Sequence, residues 1–286
     1  MKMRKALALG VVSALTLGTL GLTGCGAKDT GSSTSGGSGE LTGALTVAGS
    51  DTMVNMAQAW AETFMTANPG VQISVKGGGS GTGIAALING TIDIADASRE
   101  MKPEELAQLS TATKTAVARD GIAVVVNAAN SVEDISLGDL GKIYRGEITN
   151  WKDVGGADAP IVLVSRDSSS GTYEYFKEAV VGKDKEFAKS AKLLASTQAI
   201  VDEVKANPNA IGYIGVGYES SDIKVVKVDG VASSVATVLD GTYELSRDLY
   251  VYTAKAPEGL AKAYIDWIVS ADGQAIVKDQ GFVPLP

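Results

Sequence analysis

Residues 71–88 read VQISVKGGGSGTGIAALI and contain a complete structural unit of the chain. Apolar and polar residues alternate over 71–75, which predicts a β-strand. Glycine dominates 77–83, which predicts a loop, and 84–89 has the pattern of a short helix. A strand, a glycine loop and a helix in this order are typical of α/β proteins.

Two further segments have the same design, namely AGSDT at 48–52 and RDSSSGT at 166–172. Each follows a predicted strand and precedes a predicted helix. The start of a helix presents unpaired backbone N–H groups, and Ser and Thr hydroxyls add donors, so such ends suit an anion. Any one loop is also explained as a simple helix cap or turn. Together, and with an arginine opening the last of them, the loops predict one anion site.

The glycine loop does not match the known nucleotide signatures. It lacks the Lys-Ser/Thr ending of a P-loop, and its glycines do not follow the dinucleotide pattern. Nucleotide binding is therefore not expected.

Strand and helix patterns alternate along most of the chain, which predicts an α/β fold with mostly parallel sheets flanked by helices. The length of 286 residues suits two lobes better than one sheet. We place two hinge strands near 122–126 and 249–252. Lobe I would then comprise 41–122 plus 249–286, and lobe II would comprise 123–248.

Composition excludes several classes of function. The chain has 25 basic and 33 acidic residues, a formal charge of −8, which argues against nucleic acid as the main partner. It has no histidine, so a Ser-His-Asp triad and a His-ligated metal are excluded. The single cysteine excludes an internal disulfide. We expect no metal and no cofactor.

The first 40 residues have the pattern of an exported protein. Lys2, Arg4 and Lys5 precede an apolar run over 6–22, as in a signal peptide. The run ends in LTGC at 22–25, which resembles the lipobox of bacterial lipoproteins. The resemblance implies that 1–24 are removed and that Cys25 is lipidated; the alternative is an ordinary signal with a chance cysteine. The Gly/Ser-rich stretch 25–40 predicts a flexible tether. We expect a protein outside the cytoplasmic membrane, in a periplasm or at the cell surface.

A set of motifs running through the chain resembles the phosphate-binding lipoproteins of bacterial phosphate ABC transporters. The resemblance implies a two-lobe type II periplasmic binding protein fold that captures inorganic phosphate and delivers it to permease subunits. It also implies a monomer without catalytic residues. The motifs are AGSDTM (48–53), GGGSGTGI (77–84), DIADASRE (93–100), KIYRGEITNW (142–151), RDSSSGTYEYF (166–176), NAIGYIG (209–215) and GFVPL (281–285).

The resemblance also implies which residues contact phosphate. Many family members carry Ser-Asp where this chain has Ser98-Arg99, and that aspartate accepts the proton of hydrogen phosphate. Our candidate for the acceptor here is Asp51, with Asp96 as second choice. Arg99 is either a phosphate contact or the partner of Glu100. The full predicted contact set is Asp51, Thr52, Ser80, Ser98, Arg99, Arg166, Ser170, Gly171 and Thr172.

Other functions remain open at this point. The ligand is alternatively another tetrahedral oxyanion, such as sulfate, molybdate or tungstate. The fold also suits a sensor or an adhesin that performs no transport. An enzyme would need Ser80 or Ser170 as nucleophile, and without histidine the base would fall to Lys76. We therefore favour a binding protein over an enzyme.

Overall fold

The computed structural model describes residues 40–285. The predicted signal peptide, Cys25 and nearly all of the predicted tether lie outside the described residues. No helix within 40–285 is long and apolar enough to cross a membrane.

Strands and helices alternate through most of the described chain. The strands are β1 (Gly43–Gly49), β2 (Val71–Lys76), β3 (Ile94–Ala97), β4 (Thr113–Asn127), β5 (Asp134–Ile135), β6 (Val162–Arg166), β7 (Lys192–Leu194), β8 (Ala210–Gly215), β9 (Ile223–Val228) and β10 (Ser246–Thr253). The helices are α1 (Val54–Ala67), α2 (Ser80–Ile88), α3 (Pro103–Gln108), α4 (Leu137–Arg145), α5 (Gly171–Phe176), α6 (Thr197–Ala206), α7 (Val235–Leu239), α8 (Gly259–Ile268) and α9 (Ala271–Asp279). A π-helical stretch, Lys177–Gly182, continues α5.

The strands form a mixed sheet in the order β2-β1-β3-β10-β4-β8-β6-β7, with β9 and β5 branching from β4. We call β1, β2 and β3, with the loops and helices that follow each of them, the β1 half. We call β6, β7 and β8, with the loops and helices that follow each of them, the β6 half. Strand pairs within each half are parallel. The antiparallel pairs among the described strands involve β4 or β10. The predicted α/β class is confirmed, with its parallel pairs on either side of an antiparallel centre.

The two central strands connect the halves. β4 pairs with β10 up to Gly121, and from Ile122 onward it pairs with β8. The predicted hinge positions 122–126 and 249–252 lie in β4 and β10 respectively. The exact lobe boundaries stay a prediction.

The β1 half is built from segments that are far apart in sequence. Helices α8 and α9 pack with α1 against its sheet in the largest apolar core. The Trp60 indole N–H donates to the Gly273 carbonyl at 2.8 Å, and Phe64 contacts Tyr264 edge-on. This core also includes β6-half residues such as Ile200 and Ile214, and a second core lies in the β6 half, where Phe176 stacks on Tyr213 with ring centroids 3.9 Å apart.

Helix α2 begins earlier than the sequence predicts. Ser80–Gly83 form its first turn, so that the loop comprises only 77–79. A Cβ at Gly83 would lie 2.5 Å from the Ala48 carbonyl oxygen, so glycine lets the first turn of α2 pack directly on the end of β1. The glycines that suggested a loop thus serve close packing of helix on strand.

Candidate anion-binding site

Hydroxyl groups cluster at the carboxyl ends of β1 and β3. Because these strands are parallel neighbours, Ser50 and Ser98 follow them side by side, and Ser50 Oγ donates to Ser98 Oγ at 3.0 Å. The Ser98 backbone N–H donates to Ser80 Oγ at 3.0 Å. All three serines are buried. The β1 half therefore presents a preformed group of hydroxyls at one edge, as expected for a ligand site in an α/β sheet.

The first turn of α5, from the β6 half, packs onto this hydroxyl cluster. A Cβ at Gly171 would lie 2.4 Å from Ser80 Oγ and 2.6 Å from Ser98 Oγ, so that any side chain there would force these groups to shift. Ser170 caps α5 by accepting the backbone N–H groups of residues 172 and 173. Thr172 Oγ1 lies 2.8 Å from Thr52 Oγ1. The structure therefore brings Thr52, Ser80, Ser98, Ser170, Gly171 and Thr172 together from both halves.

The loops above these residues touch each other. The Gly81 backbone N–H donates to the Ser169 carbonyl at 3.0 Å, and Ser169 Oγ donates to the Gly78 carbonyl at 3.3 Å. Gly79 has a φ of 103° and no room for a side chain against Ser169. The described conformation therefore has the β1 half and the β6 half in contact over the site.

Arg166 lies at the end of β6 with only 1% of its side chain exposed. Its nitrogens donate to the carbonyls of Leu194 and Ala195 and to the Thr197 hydroxyl. Burial lowers the pKa of the guanidinium, and the Asp51 carboxylate opposes that effect. These bonds hold the Arg166 guanidinium in one orientation, and its predicted contact with phosphate stays a prediction.

Asp51 comes from the β1 half and reaches across to Arg166. Its Oδ2 lies 3.5 Å from Arg166 Nη1 and accepts the Thr197 backbone N–H at 2.6 Å. Asp167, the sequence neighbour of Arg166, bonds instead to Ser169. Asp51 is thus the carboxylate that the structure places against the buried arginine.

Arg99 has different partners from those that the sequence suggested. Its guanidinium forms a bidentate salt bridge with Glu105, in which Nη1 lies 2.7 Å from Oε2 and Nη2 lies 2.8 Å from Oε1. Its Nε lies 2.9 Å from Glu174 Oε2. Burial opposes the charged form, but these two glutamates outweigh it and raise the pKa of Arg99. The alternative of an ion pair with the Glu100 carboxylate is wrong, because that carboxylate pairs with Lys114 and Arg99 Nη1 donates only to the Glu100 backbone carbonyl, at 2.8 Å. The structure joins Arg99 to α5 through Glu174 rather than to the hydroxyl cluster.

Asp96 lies away from the hydroxyl cluster. It is on the face of β3 opposite to Ala95 and Ala97, which face α2, and its register partner Val251 belongs to the main core. Burial raises the pKa of Asp96 to about 8, so the carboxyl is mostly neutral at pH 7. The structure does not support Asp96 as the second-choice proton acceptor, because strand alternation directs it into the core.

One charged side chain at this site is not among the residues predicted from the sequence. Arg247 of β10 donates from Nη2 to Thr172 Oγ1 at 2.8 Å and to Asp120 Oδ2 at 2.9 Å. Arg247 stands between the polar residues Ser246 and Asp248, just before the strand that the sequence predicts from 248 onward. The available signal is its strand alternation, which places Arg247 on the same face as the buried Leu249 and Val251.

The chemistry of the site is that of hydrogen-bond donors. Within 40–285 no group of three or more carboxylate or thiol side chains is placed to hold a metal ion. Buried hydroxyls, the starts of helices α2 and α5 and a buried guanidinium are instead gathered between the halves. Such an arrangement binds an anion by short-range donors rather than by a basic surface.

Comparisons with known proteins agree with this geometry. A family model described as PBP superfamily domain matches residues 30–272. The chain is 35% identical to the phosphate-binding protein PstS of Bacillus subtilis, over 90% of this chain and 86% of that protein. It is 33% identical to PstS of Pseudomonas aeruginosa, over 86% and 84% respectively.

Solved structures give the same result. A candidate phosphate ABC transporter substrate-binding protein from Clostridium perfringens, solved with bound phosphate, matches with a TM-score of 0.81 and 36% identity. That match covers 85% of this chain and all of the other. An ABC-type phosphate transport receptor from Vibrio cholerae matches with a TM-score of 0.72, 30% identity and the same coverage. The chain belongs to the PBP superfamily, in the family of the proteins named PstS.

Proposed function

We propose that this protein captures inorganic phosphate between the β1 half and the β6 half and delivers it to the permease of an ABC transporter. The observation that carries the proposal is the meeting of Gly171 with the Ser80 and Ser98 hydroxyls. It brings donors of both halves side by side, so that a small tetrahedral anion admitted as the halves part would be within reach of donors from both. The phosphate named in the relatives' descriptions supports the same ligand.

The donors explain how an acidic chain binds an anion. The formal charge is −8, so no long-range attraction favours phosphate. Buried hydroxyls and helix N-termini act at short range, where water is excluded and each hydrogen bond to an anion is strengthened. Because the ligand would contact both halves, it stabilises the closed arrangement over an open one.

We propose the following roles for the predicted residues. Arg166 supplies positive charge, and Asp51 orients it and accepts the proton of hydrogen phosphate through the oxygen not bonded to Thr197. Arg99 acts on closure through Glu174 and does not contact the ligand. The remaining contacts are those of Thr52, Ser80, Ser98, Ser170, Gly171 and Thr172.

We propose that the protein works outside the cytoplasmic membrane, as a monomer anchored by lipid at Cys25. The signal-like residues 1–24 and the lipobox-like LTGC support this location. The Gly/Ser-rich stretch 25–40 would give the binding body reach toward the permease.

We also propose that binding involves no covalent step. The Ser170 hydroxyl oxygen caps α5, and the Ser80 hydroxyl oxygen accepts from the Ser98 backbone. Lys76, the base that a Ser-Lys enzyme would require, is exposed at the end of β2. These positions favour binding over nucleophilic attack.

Calorimetric titration tests the proposal. The purified full-length protein is unfolded and refolded to remove ligand, and then titrated with phosphate, sulfate and molybdate at one pH and salt concentration. We expect one-to-one binding of phosphate and a weak response to sulfate, because a carboxylate in the site repels an anion without a proton. Preference for sulfate or molybdate would replace phosphate with that anion, and absence of binding would contradict the proposal.

A further inference from the structure

A buried ion pair joins the two central strands. Arg247 of β10 and Asp120 of β4 are directly opposite in the strand register, with side chains 4% and 0% exposed. Asp120 Oδ2 accepts from Arg247, and its Oδ1 accepts the Val216 backbone N–H at 3.2 Å. Burial raises the pKa of Asp120, and the Arg247 charge opposes that effect. The guanidinium is therefore held in one orientation beside the paired strands β4 and β10, which connect the halves.

Arg247 uses this orientation to contact α5. Its Nη2 donates to Thr172 Oγ1 at 2.8 Å, and its guanidinium lies 5.5 Å from the centre of the Tyr175 ring. A guanidinium has no acceptor, so the direction of the hydrogen bond is fixed. Thr172 Oγ1 in turn lies 2.8 Å from Thr52 Oγ1. A chain of contacts thus runs from the central strands to the hydroxyls of both halves.

We infer that Arg247 is a positioning residue of the anion site, which acts by fixing the Thr172 hydroxyl as a donor toward the ligand. This inference rests on the proposed function. A hydroxyl that accepts a hydrogen bond from a cation becomes a stronger donor, since successive hydrogen bonds polarise one another. Arg247 occupies one lone pair of Thr172 Oγ1, so the Thr172 proton is directed away from it, toward Thr52 or a bound oxyanion.

A second observation supports a role beyond stability. Arg247 Nη1 is buried, and no group within 40–285 accepts a hydrogen bond from it. A residue needed only to neutralise Asp120 would gain from having every donor satisfied. The guanidinium instead directs one nitrogen to Thr172 and leaves another without an acceptor, so its placement is not explained by the pairing with Asp120 alone.

The test is a double-mutant cycle on phosphate affinity in the full-length protein. We expect Arg247→Gln to weaken phosphate binding by roughly 10- to 100-fold, the range for a lost hydrogen bond to a charged group. In a Thr172→Val background the same substitution should weaken binding by less than about threefold, because the hydroxyl that it acts through is already absent. Arg247→Lys, whose ammonium still donates, should restore part of the lost affinity.

Arg119→Gln is the matched control, since Arg119 lies one register position away on β4 and pairs with Asp248 in an exposed contact. It should leave phosphate affinity unchanged. Equal loss from Arg247→Gln in both backgrounds, or no loss, would overturn the inference. Should Arg247→Gln not fold, the cycle is run with Arg247→Lys and the same criterion of unequal loss. If the unmodified protein does not bind phosphate, the proposed function fails, which is a separate result.

Discussion

Glu174 of α5 reaches across to the β1 half and pairs with Arg99, with 2.9 Å between its Oε2 and Arg99 Nε. Its other oxygen contacts Lys102 Nζ at 2.6 Å. Arg99 is itself fixed by Glu105. One side chain of the β6 half is thus held by two cations of the β1 half, beside the hydroxyl cluster that both halves form.

Replacing Glu174 should speed the release of phosphate. Glu174→Gln removes a negative charge of the β6 half that pairs with Arg99 of the β1 half. Because the Glu174 side chain is only 22% exposed, this ion pair is expected to contribute about 0.5–1.5 kcal/mol. Release should therefore be roughly 2- to 10-fold faster, measured by chasing bound radiolabelled phosphate with unlabelled phosphate. The difference should shrink at high salt. Glu178→Gln, an exposed position 3.9 Å from Lys183, is the control, and equal rates for both variants would contradict the prediction.

A methyl group at Gly171 should separate the halves. Gly171→Ala places a Cβ within 2.6 Å of the Ser80 and Ser98 hydroxyl oxygens, so that either α5 or these two buried side chains must shift. Overpacking of about 1–3 kcal/mol corresponds to roughly 5- to 150-fold weaker phosphate binding by calorimetry. Gly138→Ala in α4, where the nearest atom is 3.9 Å away, is the matched control. Wild-type affinity in Gly171→Ala would show that the halves do not close at this residue.

Selectivity should depend on the Asp51 charge. Asp51→Asn still accepts the Thr197 N–H but no longer accepts the ligand's proton or repels sulfate. Loss of a negative charge beside Arg166 favours both anions alike, so the ratio of phosphate to sulfate affinity is the informative quantity. We expect that ratio to fall roughly tenfold. Asp167→Asn, whose carboxylate bonds to Ser169, should leave it unchanged. An unaltered ratio in Asp51→Asn would place the proton acceptor elsewhere.

Stability should fall as pH rises, and Asp96 should be one cause. Burial raises the pKa of Asp96 from 3.8 to about 8, so between these values the folded protein keeps a proton that the unfolded chain releases. The free energy of unfolding therefore decreases with pH in this window, by up to ~1.4 kcal/mol per pH unit. Chemical denaturation from pH 5 to 8 should show a shallower decrease in Asp96→Asn. Identical slopes would mean that Asp96 titrates alike in both states.

Most of the fold was predictable because its signals are local. Alternation in 71–75 and the apolar spacing of α1 directly predict the strands and helices that the structure contains. The first part of β4, residues 113–121, was missed, since polar residues interrupt its pattern and its partner is β10, far along the chain. Strand pairing at such a distance leaves little trace in a local window.

The residues of the site also fall into those with a local sequence signal and those that depend on distant contacts. Residues in the Ser/Thr/Gly loops were identified because their composition suits helix starts. The partners of Arg99 and the Arg247–Asp120 pair were not, since 127 residues separate the latter two. Whether an arginine faces ligand, solvent or a carboxylate depends on tertiary contacts. The spacing of residues along the sequence does not reveal such contacts.

The position of β10 between β3 and β4 has a consequence for the order of folding. During synthesis β3 is complete about 150 residues before β10 emerges, so one side of the β1 half remains an open sheet edge until then. Helices α8 and α9, which cover α1, arrive later still. Contacts of such long sequence separation slow folding. The sheet and the core of the β1 half are therefore completed only when these final segments are available, whereas the parallel pairs of the β6 half lie wholly within residues 162–215.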